Sequence, residues 1–124
     1  MTYEECRKNV KNAATKLYQA IVDARNDNLC IEVSFCTRMY IGGEKEYIIN
    51  DINISVRDFH RNVPDGAINV HKKAVFYAAD VLAESFTLAG RDGYAFDVRL
   101  GGVENDGTVL VDVQTPGSFF ESNQ

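Results

Sequence analysis

The first segment of the chain alternates apolar and polar residues with the period of an α-helix. Thr2 and Glu5 have the three-residue spacing of a capping box, which predicts that the helix begins there. Asn26, Asp27 and Asn28 predict its end, because short polar side chains compete for backbone hydrogen bonds and tolerate left-handed conformations. The apolar residues form one face: Tyr3, Cys6, Val10, Ala13, Ala14, Leu17, Ala20, Ile21 and Ala24.

From Leu29 onward, the period of a helix gives way to the two-residue period of a strand. Residues 29–36 and 47–57 each alternate apolar and polar side chains, and the two glycines at 42–43 mark a turn between them. The segment therefore predicts a β-hairpin, with a bend at residues 50–51.

The second half of the chain predicts another helix, which begins after a turn at residues 63–66. Asn69 is the expected N-cap, the helix runs to about Ala89, and Gly90 is expected to take the left-handed position at its end. One apolar stripe contains Val75, Ala78, Ala79, Leu82, Phe86 and Ala89, and a second contains Val70, Ala74, Tyr77, Val81 and Leu88. A helix with two apolar stripes must be covered on more than one side. We therefore expect a homo-oligomer assembled through helix 69–89.

Residues 94–100 and 109–113 alternate again, which predicts a second hairpin around a seven-residue loop that ends at Gly107. We expect an α+β fold, in which two long helices cover one four-stranded antiparallel sheet in the order helix-strand-strand-helix-strand-strand. The whole chain, 1–124, is one predicted domain. Its C-terminal tail, 113–124, contains Phe119 and Phe120, which we expect to dock on the domain or on a neighbour.

Composition limits the classes of partner. The 124 residues include 18 acidic and 13 basic ones, a net charge of −5, whereas a protein that binds long nucleic acid needs a dense basic face. No apolar run approaches the roughly 20 residues that cross a bilayer, and the acidic N-terminus does not resemble a signal peptide, so we expect a cytoplasmic protein. Cys6, Cys30 and Cys36 contain no CxxC pair, which predicts reduced structural thiols, no metal and no cofactor.

The chain has no motif of a known catalytic class, so we expect no enzymatic activity. The sequences GxGxxG, GxSxG and HExxH and the Walker lysine motif are all missing. Asp58, His60 and His71 are candidates for acid-base chemistry, and His60 could activate Ser34 or Cys36 across the hairpin. A triad is defined by geometry, however, which the sequence does not show.

Arginines at the ends of predicted elements are the candidates for ligand binding. Arg57 ends a strand, Arg61 follows in the loop, and Arg91 lies at the turn after the second helix. A guanidinium group suits phosphate or carboxylate recognition, and Tyr94 and Phe86 could stack on a base. The alternative is that each arginine pairs with the surplus of acidic residues on a solvated surface.

In its size, acidity and mixture of helix and sheet with an interaction-prone long helix, the chain resembles the small phage-encoded anti-defence proteins, most of all the Thoeris anti-defence sponges. The resemblance covers the whole chain as architecture, without a shared motif, so no family site residue is carried over. It implies a homo-oligomer that binds cyclic nucleotides or cyclic ADP-ribose-type signals between subunits without cleaving them. A phage-encoded protein would act in the host cytoplasm.

Two functions stay open. The first is the capture of a small anionic, nucleotide-like ligand, such as a cyclic nucleotide or a cyclic ADP-ribose, and it is favoured by the arginines and aromatic residues. The second is inhibition of a host enzyme by an acidic protein surface or a nucleic-acid mimic. It is favoured by residues 90–124, where two basic residues face six acidic ones.

Overall fold

A computed structural model of the chain describes residues 1–116, which form two helices and two β-hairpins. The elements, in chain order, are α1 (Tyr3–Asn26), β1 (Leu29–Met39), β2 (Lys45–Val56), α2 (Ala67–Arg91), β3 (Asp97–Val103) and β4 (Val109–Gln114). The fold is α+β, and the predicted order of elements is confirmed. The expected docking of Phe119 and Phe120 lies outside the described residues.

The strands form two separate two-stranded sheets, so the prediction of one four-stranded sheet is wrong. β1 pairs antiparallel with β2 to form hairpin 1, and β3 pairs antiparallel with β4 to form hairpin 2. In hairpin 1, β2 packs against α2 and β1 against α1, whereas hairpin 2 packs against α1. The alternation of apolar residues indicates which face of a strand is buried, but not which strand edges meet. Because the hairpins lie against different parts of the helix pair, their edges stay apart within residues 1–116.

The core lies between the two helices and the hairpins that cover them. β4 contributes every second residue to it, since Val109, Val111 and Val113 are buried while the residues between them are exposed. Small side chains let two helices approach closely, and alanines occupy much of the buried helix surface. These alanines are Ala13, Ala14, Ala24, Ala67, Ala79, Ala83 and Ala89.

Both hairpins contain an irregularity in register. Asn50 is an extra residue between the pairs Ser34–Asp51 and Phe35–Ile49, so the predicted bend is confirmed as a β-bulge. In hairpin 2, Gly101 is the extra residue, and β3 continues to Val103. The predicted seven-residue loop is therefore wrong, because residues 101–103 belong to a bulged strand.

The ends of α1 are as predicted. The Thr2 hydroxyl accepts a hydrogen bond from the backbone N–H of Glu5 at 3.2 Å and donates one to the Glu5 carboxylate at 3.0 Å. The helix ends at Asn26, and Asn28 takes a left-handed conformation with φ 66°. The polar triplet therefore ends the helix by the predicted mechanism.

Asn28 fixes the connection between α1 and hairpin 1. Its side chain is only 1% exposed, and its Nδ2 donates hydrogen bonds to the carbonyl oxygens of Asp58 and Arg61, both at 2.8 Å. Its Oδ1 accepts the backbone N–H of Asp58 at 2.9 Å, and its own carbonyl accepts the N–H of Arg57 at 2.9 Å. One buried side chain therefore satisfies the backbone of the loop that follows β2.

We predict that Asn28→Ala lowers the free energy of unfolding by about 3 kcal/mol, measured by urea denaturation. The change leaves buried backbone groups without partners, and it replaces asparagine, whose short polar side chain tolerates the left-handed conformation, by alanine, which does so less well. Asn28→Gly loses the same hydrogen bonds without that conformational cost and should lose about 1 kcal/mol less. A loss below about 1 kcal/mol for Asn28→Ala would contradict the role given to this side chain.

Candidate functional site

Both ends of α2 differ from the sequence prediction. The helix begins at Ala67, after Gly66 with φ 77°, so Asn69 lies inside the first turn and is not the N-cap. At the other end it continues through Gly90 to Arg91. The prediction that Gly90 takes the left-handed position is wrong, because a second glycine three residues later occupies it.

Gly93 is that left-handed residue, with φ 85°. The backbone N–H of Gly93 donates to the Gly90 carbonyl at 3.0 Å, and that of Tyr94 donates to the Ala89 carbonyl at 2.9 Å. These two bonds are the Schellman pattern, which satisfies the last carbonyls of a helix. The motif holds Arg91 and Tyr94 on either side of the turn.

This end of α2 and the tip of hairpin 1 surround a cavity with a volume of about 560 Å³, which we call the glycine-walled cavity. Its volume lies within the range of small-molecule sites. A Cβ built on any of its four glycines would meet no atom within 4 Å, so these glycines border open space. The lining residues are Gly42, Gly43, Glu44, Lys45, Tyr47, Gly90, Arg91, Gly93, Tyr94 and Ala95.

Two cations and one carboxylate line the cavity. Arg91 is exposed, and its guanidinium makes no hydrogen bond or ion pair with any residue in 1–116. The neighbouring carboxylate, Asp92, instead accepts a hydrogen bond from the Met1 amine at 3.0 Å, and this contact raises the pKa of the amine above its ordinary value. Among residues 1–116, the lining contains Arg91 and Lys45 as cations and Glu44 as the one acid, so it carries a net positive charge on a negatively charged chain.

Aromatic rings form part of the cavity wall and are held by contacts behind them. The Tyr47 ring packs on Phe86 with 5.4 Å between ring centroids, and its backbone N–H donates to the buried Thr87 hydroxyl at 2.9 Å. Thr87 in turn donates to the Ala83 carbonyl at 3.0 Å, so β2 is fixed to α2 at this point. The Tyr94 ring packs edge-on against Tyr3 at 5.5 Å. Both tyrosines therefore have restricted positions.

The structure brings together only part of the predicted ligand site. Arg91 and Tyr94 line the cavity, and Phe86 lies behind Tyr47. Arg57 and Arg61 lie at the opposite end of β2, a strand of 12 residues that spans roughly 36 Å at about 3.3 Å per residue. No small ligand contacts both groups.

Eight of the ten lining residues were not predicted as site residues, and five of these come from hairpin 1: Gly42, Gly43, Glu44, Lys45 and Tyr47. The glycine pair indicates a turn, and a cation and an aromatic residue follow it within four positions. Their role depends on the start of β2 lying beside the end of α2, a tertiary contact that no local pattern reveals.

The candidates for acid-base chemistry do not form a catalytic arrangement. His71 lies on α2, where its ring Nε2 contacts the Asp27 carboxylate at the end of α1 at 2.5 Å. The Asp58 carboxylate accepts the backbone N–H of His60 at 2.9 Å, which is a turn interaction. Ser34 pairs with Asp51, five residues from the end of β2, and Cys36 pairs with Ile48 still further along. Both therefore lie at least roughly 16 Å from the loop of His60.

The three cysteines differ in exposure. Cys6 is 1% exposed, and burial raises the pKa of its thiol, with a further contribution from the negative charge of Asp92. Cys30 and Cys36 are partly exposed. Within residues 1–116, no cluster of three His, Cys, Asp or Glu side chains has the geometry to hold a metal ion.

Comparisons with known proteins give no family for the chain. No model of a protein family matches it, and neither do the curated proteins or the solved structures. Among residues 1–116 there is also no helix with the length and apolar character needed to span a membrane. The candidate function therefore rests on the geometry of the cavity.

We predict that Gly90→Ala raises the free energy of unfolding by about 0.5 to 1 kcal/mol, because position 90 is helical and has open space for a methyl group. Gly93→Ala should instead lower it by about 1 kcal/mol, because alanine resists the left-handed conformation. Thermal unfolding of the two variants compares them directly. The reverse order would place the left-handed residue at Gly90.

We predict that Cys6 resists alkylation in the native protein near neutral pH, while Cys30 and Cys36 react. Burial blocks access to Cys6, and its raised pKa keeps the thiol protonated. Mass spectrometry of iodoacetamide-treated peptides measures each site, and denatured protein, in which all three react, is the control. Equal native labelling of Cys6 and Cys30 would show that α1 opens on the timescale of labelling.

Proposed function

We propose that the chain is a non-catalytic binding protein that captures a small anionic, nucleotide-like ligand in the glycine-walled cavity. The observation that carries the proposal is Arg91, whose guanidinium borders the cavity and has no partner among residues 1–116. An arginine that served the surface charge balance would form an ion pair, but Arg91 forms none within residues 1–116, although Glu46, Asp80 and Glu84 border a neighbouring pocket together with it. Arg91 is instead available to an anion from outside the chain.

The two cations suit a phosphate group. Arg91 offers a planar fork of N–H donors that matches two phosphate oxygens, and Lys45 adds a mobile point charge. Glycines on both walls leave room for a ligand to approach the backbone. A phosphate bound here would lie between the turn of hairpin 1 and the Schellman turn after α2.

The rest of the cavity suits a nucleoside. Tyr47 and Tyr94 present aromatic rings on which a base can stack, and the Glu44 carboxylate accepts hydrogen bonds from ribose hydroxyls or an exocyclic amine. This combination of anion-binding and stacking groups favours a cyclic nucleotide or a cyclic ADP-ribose over a simple carboxylic acid.

The composition of the lining favours capture over turnover. Among residues 1–116, those that line the cavity include no serine, threonine, cysteine or histidine, so this part of the chain places no nucleophile with an imidazole base in the cavity wall. A protein that holds a nucleotide signal without cleaving it lowers the free concentration of that signal. In a cytoplasm that uses such signals for defence, it would act as an anti-defence sponge, and we expect it to do so as a homo-oligomer.

A second candidate function is inhibition of an enzyme by an acidic surface. Glu104, Asp106 and Asp112 are exposed on hairpin 2, and the Thr108 side chain and backbone lower the pKa of Asp106 by hydrogen bonding to its carboxylate. This surface would bind a basic patch on another protein, with stoichiometric inhibition and no small ligand.

We predict that Arg91→Ala weakens ligand binding by roughly 10- to 150-fold, because a charge-assisted hydrogen bond contributes about 1.5 to 3 kcal/mol. Isothermal titration with cyclic dinucleotides, cyclic trinucleotides and cyclic ADP-ribose measures the affinity. Arg57→Ala is the matched control, because it removes the same side chain at the far end of β2 and should leave binding unchanged.

The outcomes separate the two candidate functions. If the wild-type protein binds none of these compounds, ligand capture is wrong and the acidic surface becomes the leading explanation. If it binds and Arg57→Ala weakens binding more than Arg91→Ala does, the ligand site lies in the 57–61 loop. Thermal unfolding of each variant shows whether a lost affinity reflects a lost fold.

A further inference from the structure

The helix α2 has an apolar stripe whose first part is exposed within residues 1–116 and whose last residues, Val81 and Leu88, border a groove beside α1. Val70 is 65% exposed, Tyr77 75% and Val81 37%, and Ala74 is exposed between them. Leu88, which continues the same line, is half-buried beside α1. Monomeric proteins rarely expose a continuous apolar surface of this kind, so the stripe indicates an interface.

The spacing of the stripe matches the seam of a helix pair. Val70, Ala74, Tyr77 and Val81 follow one another at intervals of four, three and four residues, which is the a/d spacing of a coiled coil. Two helices with this spacing pack at a shallow angle, each inserting side chains between those of the other. The partner that the stripe fits is therefore another helix with the same spacing.

The charges beside the stripe are divided between its two halves. Lys73 lies one turn before Tyr77, and Asp80 lies one turn after it, on the same flank of the helix. Neither Lys73 nor Asp80 forms an ion pair within residues 1–116. The first half of the flank is thus basic and the second half acidic.

We infer that two copies of this chain associate through antiparallel α2 helices, with a two-fold axis near Tyr77. In this arrangement, the flank that carries Lys73 and Asp80 faces the same flank of the second helix. Because the two helices run in opposite directions, Lys73 of each copy faces Asp80 of the other. Apolar fit and charge pattern point to the same register.

In a parallel pair of α2 helices, Lys73 and Asp80 would not form ion pairs across the interface. In parallel coiled coils each flank faces the opposite flank of the partner helix, and the opposite flank of α2 carries His71, Ala78 and Ser85. Lys73 and Asp80 would then have no counterpart of opposite charge. The direction of packing is therefore a testable consequence of the sequence of α2.

Charge reversal tests the register, with analytical ultracentrifugation as the measurement. Wild-type protein should sediment as a dimer of the 13.8 kDa chain at micromolar concentration. Lys73→Glu and Asp80→Lys should each raise the dimer dissociation constant by about 10- to 100-fold, because each places two like-charged pairs across the axis. Lys72→Glu is the matched control, since the same change one residue earlier lies about 100° round the helix and should not affect the dimer.

Mixing the two weakened variants is the decisive step. A heterodimer of Lys73→Glu with Asp80→Lys has opposite charges at both contacts, so the mixture should recover a dimer with nearly wild-type affinity. Wild-type protein that stays monomeric at micromolar concentration would overturn the inference. So would dimers that neither variant weakens, or variants that remain weak when they are mixed. Circular dichroism of each variant verifies that the helices are intact, and the result is independent of ligand binding in the cavity.

Discussion

The contact between α1 and α2 is the surface on which the rest of the structure depends. Each hairpin has only its own two strands to pair within residues 1–116, and an isolated two-stranded hairpin is marginally stable in water. Both hairpins are stable because they bury their apolar sides on the helix pair. The helices in turn gain most of their stability from packing rather than from intrinsic propensity. The buried alanines, which allow the two helices to approach closely, are therefore important for the whole fold.

The glycine-walled cavity follows from how hairpin 1 lies on α2. β2 begins beside the last turns of that helix, where Thr87 receives the backbone hydrogen bond of Tyr47. The tip of hairpin 1 consequently extends past the end of the helix, and the Schellman turn at Gly93 supplies the opposite wall. The turn of hairpin 1 and the Schellman turn after α2 each form for local reasons, and the packing of hairpin 1 on α2 places them on opposite sides of the cavity.

The sequence predicted those features that neighbouring residues determine. The N-cap at Thr2 and the end of α1 at residues 26–28 depend on side chains within a few positions, and the bend predicted at residues 50–51 lies where a β-bulge occurs. The ends of α2 were mispredicted, because Gly66 and Gly93 compete with Asn69 and Gly90 for similar roles and packing decides between them. The same limit applies to the cavity. Arg91 and Tyr94 share one turn, whereas Lys45 and Tyr47 reach them only through the tertiary fold.

In sequence, the chain is a tandem of two helix-hairpin units, but contacts between its elements cross the boundary between the units. Hairpin 2, which follows α2 in the sequence, lies on α1, and β2, which belongs to the first unit, lies on α2. A cut in the turn at residues 63–66 would separate each of these strands from the helix that covers it. The two halves are therefore obligate complements, which can reach the native state only by folding together.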